Sequence, residues 1–442
     1  MLRTPDKIRT LQRKLYRKAK QEPAFRFYAL YDKVYRMDIL SHAYHLVLAN
    51  KGSAGIDGIT FRAIREKEGE TAFLAELQEA LRGKTYEVSP VKRVMIPKGN
   101  GGMRPLGIPT IRDRVAQMAV KLVIEPIFEA DFCGNSYGFR PHRSAHDAVD
   151  DIAITLNRGY TQVIDADLSK YFDSIPHANL MATVAERISD GAILHLIKMW
   201  LKAPVIEEDQ KGTRRTVGGG KGNRKGTPQG GVISPLLANL YLHLLDRLWD
   251  RHKLERKLGA HLVRYADDFV VLCRQGIDRP MEAVRLILDR LGLVLNAEKT
   301  HVVDAKQGRF NFLGFEIHIA RSWRTGGHYA NVQPSRKSLR TIKRRLSSMT
   351  GRELTHVPLE GVVGKVNETL RGWVAYFHYR NCSKVMTKVK THAEERLRIH
   401  LRRRYKVRHR VSGYGRFPDR SLYERYGLYK VPTTAGWTKA HA

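Results

Sequence analysis

Two adjacent carboxylates, Asp267 and Asp268, lie between two apolar runs at residues 261–264 and 269–273. That pattern predicts a strand, a tight turn and a second strand, with both acids at the turn. Like charges side by side repel each other, and a divalent cation relieves the repulsion. The pair therefore indicates half of a metal site that handles phosphate groups. A solvated Asp-Asp hairpin is the alternative, because Asp is a common turn residue.

Acids also end a second predicted strand. Residues 162–168 form a short apolar run that contains Asp165 and Asp167. A helical crossover between the two acidic strand ends would let them lie side by side in one sheet. Asp167 and the pair at 267 and 268 would then hold two metal ions about 4 Å apart. One ion would activate a 3′-hydroxyl, and the other would steady a leaving pyrophosphate.

The elements that must position these acids follow from periodicity and turn residues. Apolar residues at helical spacing predict helices within residues 1–50, 71–81, 112–128, 233–248 and 280–291. Alternation predicts a basic β-hairpin with strands at 91–98 and 103–108 around a glycine-rich turn at 99–102, and a strand pair near 312–317. Basic helices follow from residue 335, and residues 320–335 are the best candidate for a domain boundary.

The composition narrows the class of protein. The chain has 442 residues, of which 42% are hydrophobic and 28% charged, so we expect a globular protein. Its net charge of +34 calls for a polyanionic partner, and nucleic acid is the first candidate. We expect no signal peptide, membrane span or lipid anchor. The three cysteines lie far apart and suggest no metal site or disulfide framework, which fits a reducing cytosol.

Basic side chains are the candidate contacts to nucleic acid. Arg140 and Arg143 are expected to contact backbone phosphates. His142 and His146 are four residues apart, but a zinc site is disfavoured because no Glu lies between them and no third ligand is evident. Further RNA contacts are expected on the basic C-terminal helices, at Arg344, Arg345, Arg402, Arg403 and Arg404.

Several motifs follow one another in a specific order along the chain. They are Gly55-Ile56-Asp57-Gly58, Arg104-Pro105-Leu106-Gly107-Ile108-Pro109, Tyr137-Gly138-Phe139-Arg140-Pro141, Asp165-Ala166-Asp167-Leu168, Thr227-Pro228-Gln229-Gly230-Gly231, Tyr265-Ala266-Asp267-Asp268 and Phe312-Leu313-Gly314-Phe315. With this set the sequence strongly resembles the reverse transcriptase/maturases encoded by bacterial group II introns, over nearly its whole length. Residues 371–377 resemble the maturase helices of the same family.

The resemblance implies an α+β right-hand polymerase, with fingers, a palm built on an antiparallel sheet, and a helical thumb called domain X. The expected divisions are 1–85 for an N-terminal helical extension and the start of the fingers, 86–320 for the fingers and palm, 330–410 for the thumb or maturase domain X, and 411–442 for a short basic aromatic tail. Relatives often continue into an H-N-H endonuclease with cysteine pairs. No such pair follows the helices here, so we expect this chain to lack that endonuclease and to use 3′ ends from another source.

By the family's pattern, Asp167, Asp267 and Asp268 carry two catalytic Mg²⁺ ions. Asp165 is the alternative to Asp167 as the metal ligand. Asp167 is preferred because Phe172, five residues after it, then matches the family's steric gate against a ribose 2′-hydroxyl. The resemblance also assigns the triphosphate to Lys98 and Arg104, the nucleotide or template to Gln229, and a position near the palm site to Lys299.

The function that the resemblance implies is an RNA-directed DNA polymerase that binds group II intron RNA, assists its splicing and copies it into cDNA. Its partners would be intron RNA, an RNA template with a DNA primer, target DNA and dNTPs, and no membrane. We expect it in the bacterial cytoplasm, associated with the nucleoid or with a ribonucleoprotein. Two alternatives stay open: a splicing-only maturase, and a related reverse transcriptase domesticated for repair or phage defence. Phe172 disfavours an RNA-dependent RNA polymerase.

Overall fold

Helices and one hairpin make up the N-terminal part of the chain. The computed structural model describes residues 2–67, 69–97, 102–209 and 211–437. The first five helices are α1 (Asp6–Gln21), α2 (Tyr31–Val34), α3 (Met37–Ala49), α4 (Phe61–Lys67) and α5 (Glu70–Arg82). The strands β1 (Val91–Pro97) and β2 (Met103–Ile108) and the long helix α6 (Ile111–Glu129) follow. The predicted hairpin is therefore confirmed in its strands, while Lys98 and most of its turn lie outside the described residues.

Strands and helices alternate in the middle of the chain. In order they are α7 (Ala145–Asn157), β3 (Gln162–Ala166), α8 (Tyr171–Ser174), α9 (His177–Ala185), α10 (Gly191–Leu201), β4 (Val205–Glu208), β5 (Arg214–Gly218), α11 (Ser234–Arg251), α12 (Leu254–Leu258), β6 (Ala260–Tyr265), β7 (Asp268–Cys273), α13 (Asp278–Arg290) and β8 (His301–Asp304). The apolar run that leads to Asp167 is thus β3, and the runs before and after Asp267 are β6 and β7, as the sequence predicts.

The C-terminal part begins with three strands and continues in helices. These elements are β9 (Phe310–Phe312), β10 (Phe315–Arg321), β11 (His328–Pro334), α14 (Arg336–Met349), a short 3₁₀ helix (Arg352–Leu354), α15 (Leu359–Phe377), α16 (Ser383–Arg404), α17 (Arg410–Arg416) and α18 (Asp419–Glu424). The segment 320–335, favoured from sequence as a boundary, instead contains β11, which pairs with β10 over seven residue pairs. The helical part therefore starts at α14.

The described residues contain three β-sheets. The strands β2-β1-β4-β5 form one sheet, which we call the fingers sheet, and β11-β10-β9 form another. The third sheet, β6-β7-β3-β8, is antiparallel throughout, and we call it the palm sheet. This mixed α+β arrangement, with a helical C-terminal region, confirms the predicted fold class.

Both faces of the palm sheet are buried, which explains why β7 is a continuous apolar run. Phe269 and Val271 pack into a core with the N-terminal helices, α6 and α11. Val270 and Leu272 point to the opposite face, since successive side chains of a strand alternate, and pack with α7 and the β9–β11 sheet. The sheet is thereby fixed from two sides, and so are the acids at its edge.

The C-terminal helices form a third core. Residues 411–442 were expected to be a short basic aromatic tail. Their described part contains α17 and α18, and it buries Phe417 and Leu422 against α14, α15 and α16. No helix in the described ranges is long and apolar enough to cross a bilayer.

Candidate active site

The palm sheet brings the acids of both strands to one edge. β3 and β7 pair with Asp165 opposite Val270 and Ala166 opposite Phe269, which is the last pair of the ladder. Asp167 follows Ala166, and Asp268 precedes Phe269, so both acids lie at the same end of the two paired strands. The structure thus places Asp167 beside the turn that carries Asp267 and Asp268.

The carboxylates at this edge repel one another. Desolvation, together with the charges of Asp267 and Asp167, raises the pKa of Asp268 to about 6. Desolvation, together with Asp268 and Asp167, raises the pKa of Asp165 to about 7. Desolvation also raises the pKa of Asp267, and the charge of Asp167 adds to that effect. Four carboxylates therefore share one field, and Asp165 belongs to it alongside Asp167.

Two cationic side chains face these acids. Lys299 Nζ donates to Asp167 Oδ2 at 2.8 Å, and this bond is the main cause that raises the pKa of Lys299. Arg104 reaches the same field from the fingers sheet, because its charge opposes the rise in the pKa of Asp267. Its Nε also donates to Gln229 Oε1 at 2.8 Å. The structure therefore gathers Lys299, Arg104 and Gln229 at the acidic edge.

The donor set suits Mg²⁺, which prefers carboxylate oxygens and retains several waters. Burial and the neighbouring carboxylates disfavour the ionised forms of Asp165 and Asp268, and a divalent cation would favour them. Among the described residues, however, no three or more His, Cys, Asp or Glu side chains are already gathered to hold one metal ion. The assignment of Asp167, Asp267 and Asp268 as metal ligands stays a prediction.

The acidic turn has an unfavourable backbone conformation. Its loop consists of Ala266 and Asp267, since Tyr265 pairs with Asp268. Ala266 has a φ of +58°, in the left-handed region that costs an L-residue roughly 1–2 kcal/mol. Such a conformation persists only where the surroundings enforce it. Two contacts, one from β6 and one from the loop at Gly138, do so here.

The first contact comes from Arg264, which is completely buried. Its Nη1 donates to the carbonyl of Ala266 at 3.0 Å and to Asn239 Oδ1 at 2.6 Å. Its Nε lies 3.0 Å from each carboxylate oxygen of Asp246, which is also buried. Desolvation acts to raise the pKa of Asp246, but the charges and hydrogen bonds of Arg264 and His243 together outweigh it, and the pKa is lowered. A buried ion pair thus links α11 to the acidic turn.

The second contact is the close approach of Gly138. A Cβ at position 138 would lie 2.3 Å from the nitrogen of Ala266, which is far inside contact distance. Asn239 Nδ2 donates to the carbonyl of Gly138 at 3.0 Å, and the nitrogen of Tyr137 donates to the carbonyl of Arg264 at 2.9 Å. Only glycine allows the two backbones to pass at this distance.

Replacing Gly138 by Ala is expected to displace the acidic turn and to lower the rate of single-nucleotide addition by about 100-fold, because a shift of about 1 Å in reacting groups has that effect. Single-turnover primer extension measures it. Gly134→Ala is the matched control, since a Cβ at 134 meets nothing within 4 Å. Equal rates for the two variants would show that the approach of Gly138 does not position the turn.

The loop at residues 227–231 connects the fingers sheet to the palm. The nitrogen of Gly107 donates to the carbonyl of Gln229 at 2.6 Å, and the nitrogen of Thr227 donates to the carbonyl of Phe172 at 2.8 Å. Phe172 lies in α8, is 9% exposed and packs edge-on against Tyr171. The predicted gate residue and the predicted nucleotide contact therefore belong to one hydrogen-bonded unit. The expected triphosphate contact at Lys98 lies outside the described residues.

The expected phosphate contact at Arg140 does not fit its position. Arg140 is buried, and its guanidinium donates to Glu129 Oε1 at 2.7 Å and to the carbonyls of Cys133 and Ser136, both at 2.6 Å. Every side of the group is occupied by protein. Arg140 fixes the loop that leads to Gly138 and is not free to reach a phosphate.

The other arginines expected to contact RNA differ in accessibility. Arg143 is exposed and lies over the ring of Tyr137, 5.2 Å from its centroid. Arg404 is half-buried, and its Nη1 donates to the carbonyls of Thr355 and Val357 at 2.9 and 2.6 Å. Arg402 is half-buried, while Arg344, Arg345 and Arg403 are exposed. The exposed members keep their predicted role as candidates.

Sequence reasoning missed the residues that support the turn. Arg264 lies in a run that is otherwise mostly apolar, and a lone Arg inside a buried strand needs a buried partner. Asp246 and Asn239, which lie seven residues apart on the apolar helix α11 and therefore on one face, are the available signal. Gly138 belongs to a motif, but its sequence position gives no sign of this close approach.

Comparisons with known proteins agree with this geometry. Residues 96–317 match the family described as "Reverse transcriptase (RNA-dependent DNA polymerase)", and this match covers half of the chain. The chain belongs to the reverse transcriptase family. This reverse transcriptase also matches "Group II intron, maturase-specific domain" over residues 339–415. It is therefore an RNA-directed DNA polymerase of the group II intron class, as the sequence predicts.

Individual relatives support the same assignment. Protein YkfC of Escherichia coli is 35% identical over 353 residues, which are 71% of this reverse transcriptase and 89% of YkfC. Group II intron-encoded protein LtrA of Lactococcus lactis is 31% identical over 360 residues, or 67% of this chain and 57% of LtrA. Nuclear intron maturase 1 of Arabidopsis thaliana is 27% identical over 205 residues. The chain thus spans most of YkfC but little more than half of LtrA.

Proposed function

We propose that this reverse transcriptase joins nucleotides at the edge of the palm sheet, with Asp167, Asp267 and Asp268 holding two Mg²⁺ ions. The observation that supports the proposal is the pairing of β3 with β7, whose last pair, Ala166 and Phe269, adjoins Asp167 and Asp268, together with the bond from Lys299 to Asp167. When bound, the ions would activate the primer hydroxyl and neutralise the triphosphate. Asp165 is a further candidate ligand, because it lies in the same field of carboxylates.

The remaining residues bind and orient the substrates. Arg104, fixed by Gln229, provides a guanidinium for the triphosphate oxygens. Lys299, which donates to Asp167 in this structure, would provide an ammonium for the phosphates if Asp167 held a metal ion. Lys98 is proposed as a second triphosphate contact on sequence grounds alone.

Phe172 is proposed to exclude the ribose 2′-hydroxyl. Replacing Phe172 by Ala is expected to raise the efficiency of ribonucleotide incorporation relative to deoxynucleotide by about 100-fold, because the clash that rejects the 2′-hydroxyl is removed. Primer extension with each dNTP and its matching rNTP measures the ratio. Tyr171→Phe is the control, since it keeps the neighbouring ring and removes only a buried hydroxyl that donates to the carbonyl of Ala238. Unchanged selection against rNTPs in Phe172→Ala would remove the gate assignment.

A second activity is proposed for the helical C-terminal part. LtrA is named as a group II intron-encoded protein, and residues 339–415 match the maturase-specific domain. We infer that this reverse transcriptase binds its parent intron RNA, assists splicing and copies the RNA into cDNA at a target DNA. Its net charge of +34 supports that partner, since neutralised phosphates release counterions. A cytoplasmic ribonucleoprotein is the expected setting.

The direct experiment uses the wild-type protein and the intron RNA whose sequence flanks the gene. Extension of a DNA primer on an RNA template with Mg²⁺, RNA affinity that falls steeply with salt, and faster splicing of the flanking RNA are the expected results. Splicing without primer extension would favour the splicing-only maturase. Extension without intron sequences beside the gene would favour a domesticated polymerase.

A further inference from the structure

The turn between β10 and β11 presents an exposed tryptophan. Trp323 is 88% exposed and lies between Arg321 and Arg324. The guanidinium of Arg324 lies over the indole, 5.1 Å from the ring centroid, and no other ring or cation contacts the indole in the described part of the chain. An exposed apolar side chain is ordinary by itself, whereas an aromatic face beside arginines has the composition of a base-stacking site.

The turn holds this ring away from the protein in an ordered conformation. The nitrogen of Ser322 donates to the carbonyl of Gly327 at 2.7 Å, and the nitrogen of Gly326 donates to the carbonyl of Ser322 at 2.9 Å. Arg321 Nε donates to the carbonyl of Gly326 at 3.2 Å. The backbone of the turn is thus satisfied internally, and Trp323 adds nothing to the core. Such preorganisation lowers the entropy that a ligand must overcome on binding.

The turn and the adjoining ends of its two strands have basic but no acidic side chains. Residues 318–331 contain two arginines and two histidines but no Asp or Glu. The nitrogen of Ile319 donates to the carbonyl of Ala305 at 2.7 Å, which brings the exposed side chain of Lys306 to the same region. A polyanion therefore complements this surface, which we call the Trp323 turn (residues 321–328).

The Trp323 turn lies away from the catalytic edge. Ala305 donates to the carbonyl of Thr161, so the hairpin meets β3 at the end opposite Asp167, about 20 Å away at the usual rise per residue. Ala330 near the turn bonds Asn157 at the C-terminal end of α7. The Trp323 turn is therefore separate from the site of nucleotide addition.

We propose that the Trp323 turn binds folded RNA outside the polymerase cleft, with an unpaired base stacked on the open face of Trp323 and neighbouring phosphates on Arg321 and Arg324. Unpaired loop bases offer a free π-face, whereas bases within a duplex stack on one another. The inference rests on the proposed binding of intron RNA and assigns to it a surface outside both the cleft and the helical C-terminal part.

The test compares binding of two probes, a labelled RNA stem-loop and a blunt RNA duplex of the same stem, to four full-length proteins. Trp323→Ala is expected to bind the stem-loop about tenfold more weakly than wild type, because stacking on an aromatic ring contributes that much per base. Trp323→Phe should keep most of the affinity. Leu286→Ala removes another exposed apolar side chain, on α13, and should change nothing. Stem-loop RNA should also quench tryptophan fluorescence of wild type more than of Trp323→Phe.

Three results would overturn the inference. Trp323→Ala could bind the stem-loop as tightly as wild type, or lose affinity for stem-loop and duplex equally, which would exclude an unpaired base. Slower extension of a short template–primer by Trp323→Ala would place the turn at the cleft instead. If the inference fails but the wild-type protein extends primers and binds RNA, the proposed function still holds. If the wild-type protein does neither, the proposed function and the inference are both wrong.

Discussion

Asp267→Asn is expected to abolish DNA synthesis and to leave RNA affinity unchanged. A carboxylate ligand of a catalytic metal ion contributes several kcal/mol to the transition state, and a loss of about 4 kcal/mol is roughly a 1000-fold fall in rate. RNA binding depends on the basic surface, which this change leaves in place. Single-turnover primer extension and an RNA-binding titration measure the two properties separately.

Unfolding does not account for such a loss of activity. The pKa of Asp267 is raised, so its ionised form opposes folding once the pH rises above the ordinary value for an aspartate. A neutral Asn at this position removes that repulsion, and the free energy of unfolding at neutral pH should be equal or higher. Asp289→Asn on the exposed face of α13 makes the same change of charge and should retain full activity. Full activity of Asp267→Asn would refute the metal site.

The second large effect is expected at Arg264. Arg264→Met leaves the buried carboxylate of Asp246 without its cation, which costs about 3–5 kcal/mol of unfolding free energy. It also removes the hydrogen bond to the carbonyl of Ala266, so the acidic turn relaxes toward a less costly backbone conformation. The free energy of unfolding, measured by denaturant titration, and the rate of nucleotide addition should both fall.

A double variant separates these two effects. Arg264→Met with Asp246→Leu removes the whole ion pair, and stability should largely recover, since apolar residues often replace a buried pair at little cost. Nucleotide addition should stay low, because the hydrogen bond to the carbonyl of Ala266 is still missing. If the double variant is as stable as wild type but needs a higher Mg²⁺ concentration for activity, Arg264 is a positioning residue. Recovery of both stability and activity would limit Arg264 to a structural role.

The acids were predictable from sequence because they interrupt apolar runs. Residues 265–268 lie between two apolar runs, which predicts the β6–β7 hairpin, and the apolar run before Asp167 predicts β3. Pairing of the two strands follows from the need to bury both of their faces. The long apolar helix α11 begins at Ser234, one residue from the predicted start.

The support of the site was not predictable in the same way. Arg264 lies in a strand whose neighbours are apolar, and its partner Asp246 is 18 residues earlier on a helix. Gly138 matters only because the loop after α6 passes the turn, which no local pattern encodes. The internal hydrogen bonds of Arg140, which exclude it as a phosphate contact, were not predictable for the same reason, because the exposure of a basic side chain depends on tertiary structure. Residues 320–335 were favoured as a domain boundary, but residues 328–334 within them form β11 by pairing with β10.

Direct measurement of bound metal tests the central claim. The complex of the protein with template–primer and a dNTP that cannot react is titrated with Mn²⁺, and bound ions are counted by electron paramagnetic resonance. The account predicts two ions for wild type and for Asp289→Asn, and fewer for Asp167→Asn and Asp267→Asn. A variant with Asn at 167, 267 and 268 that still binds two ions with wild-type affinity would contradict it.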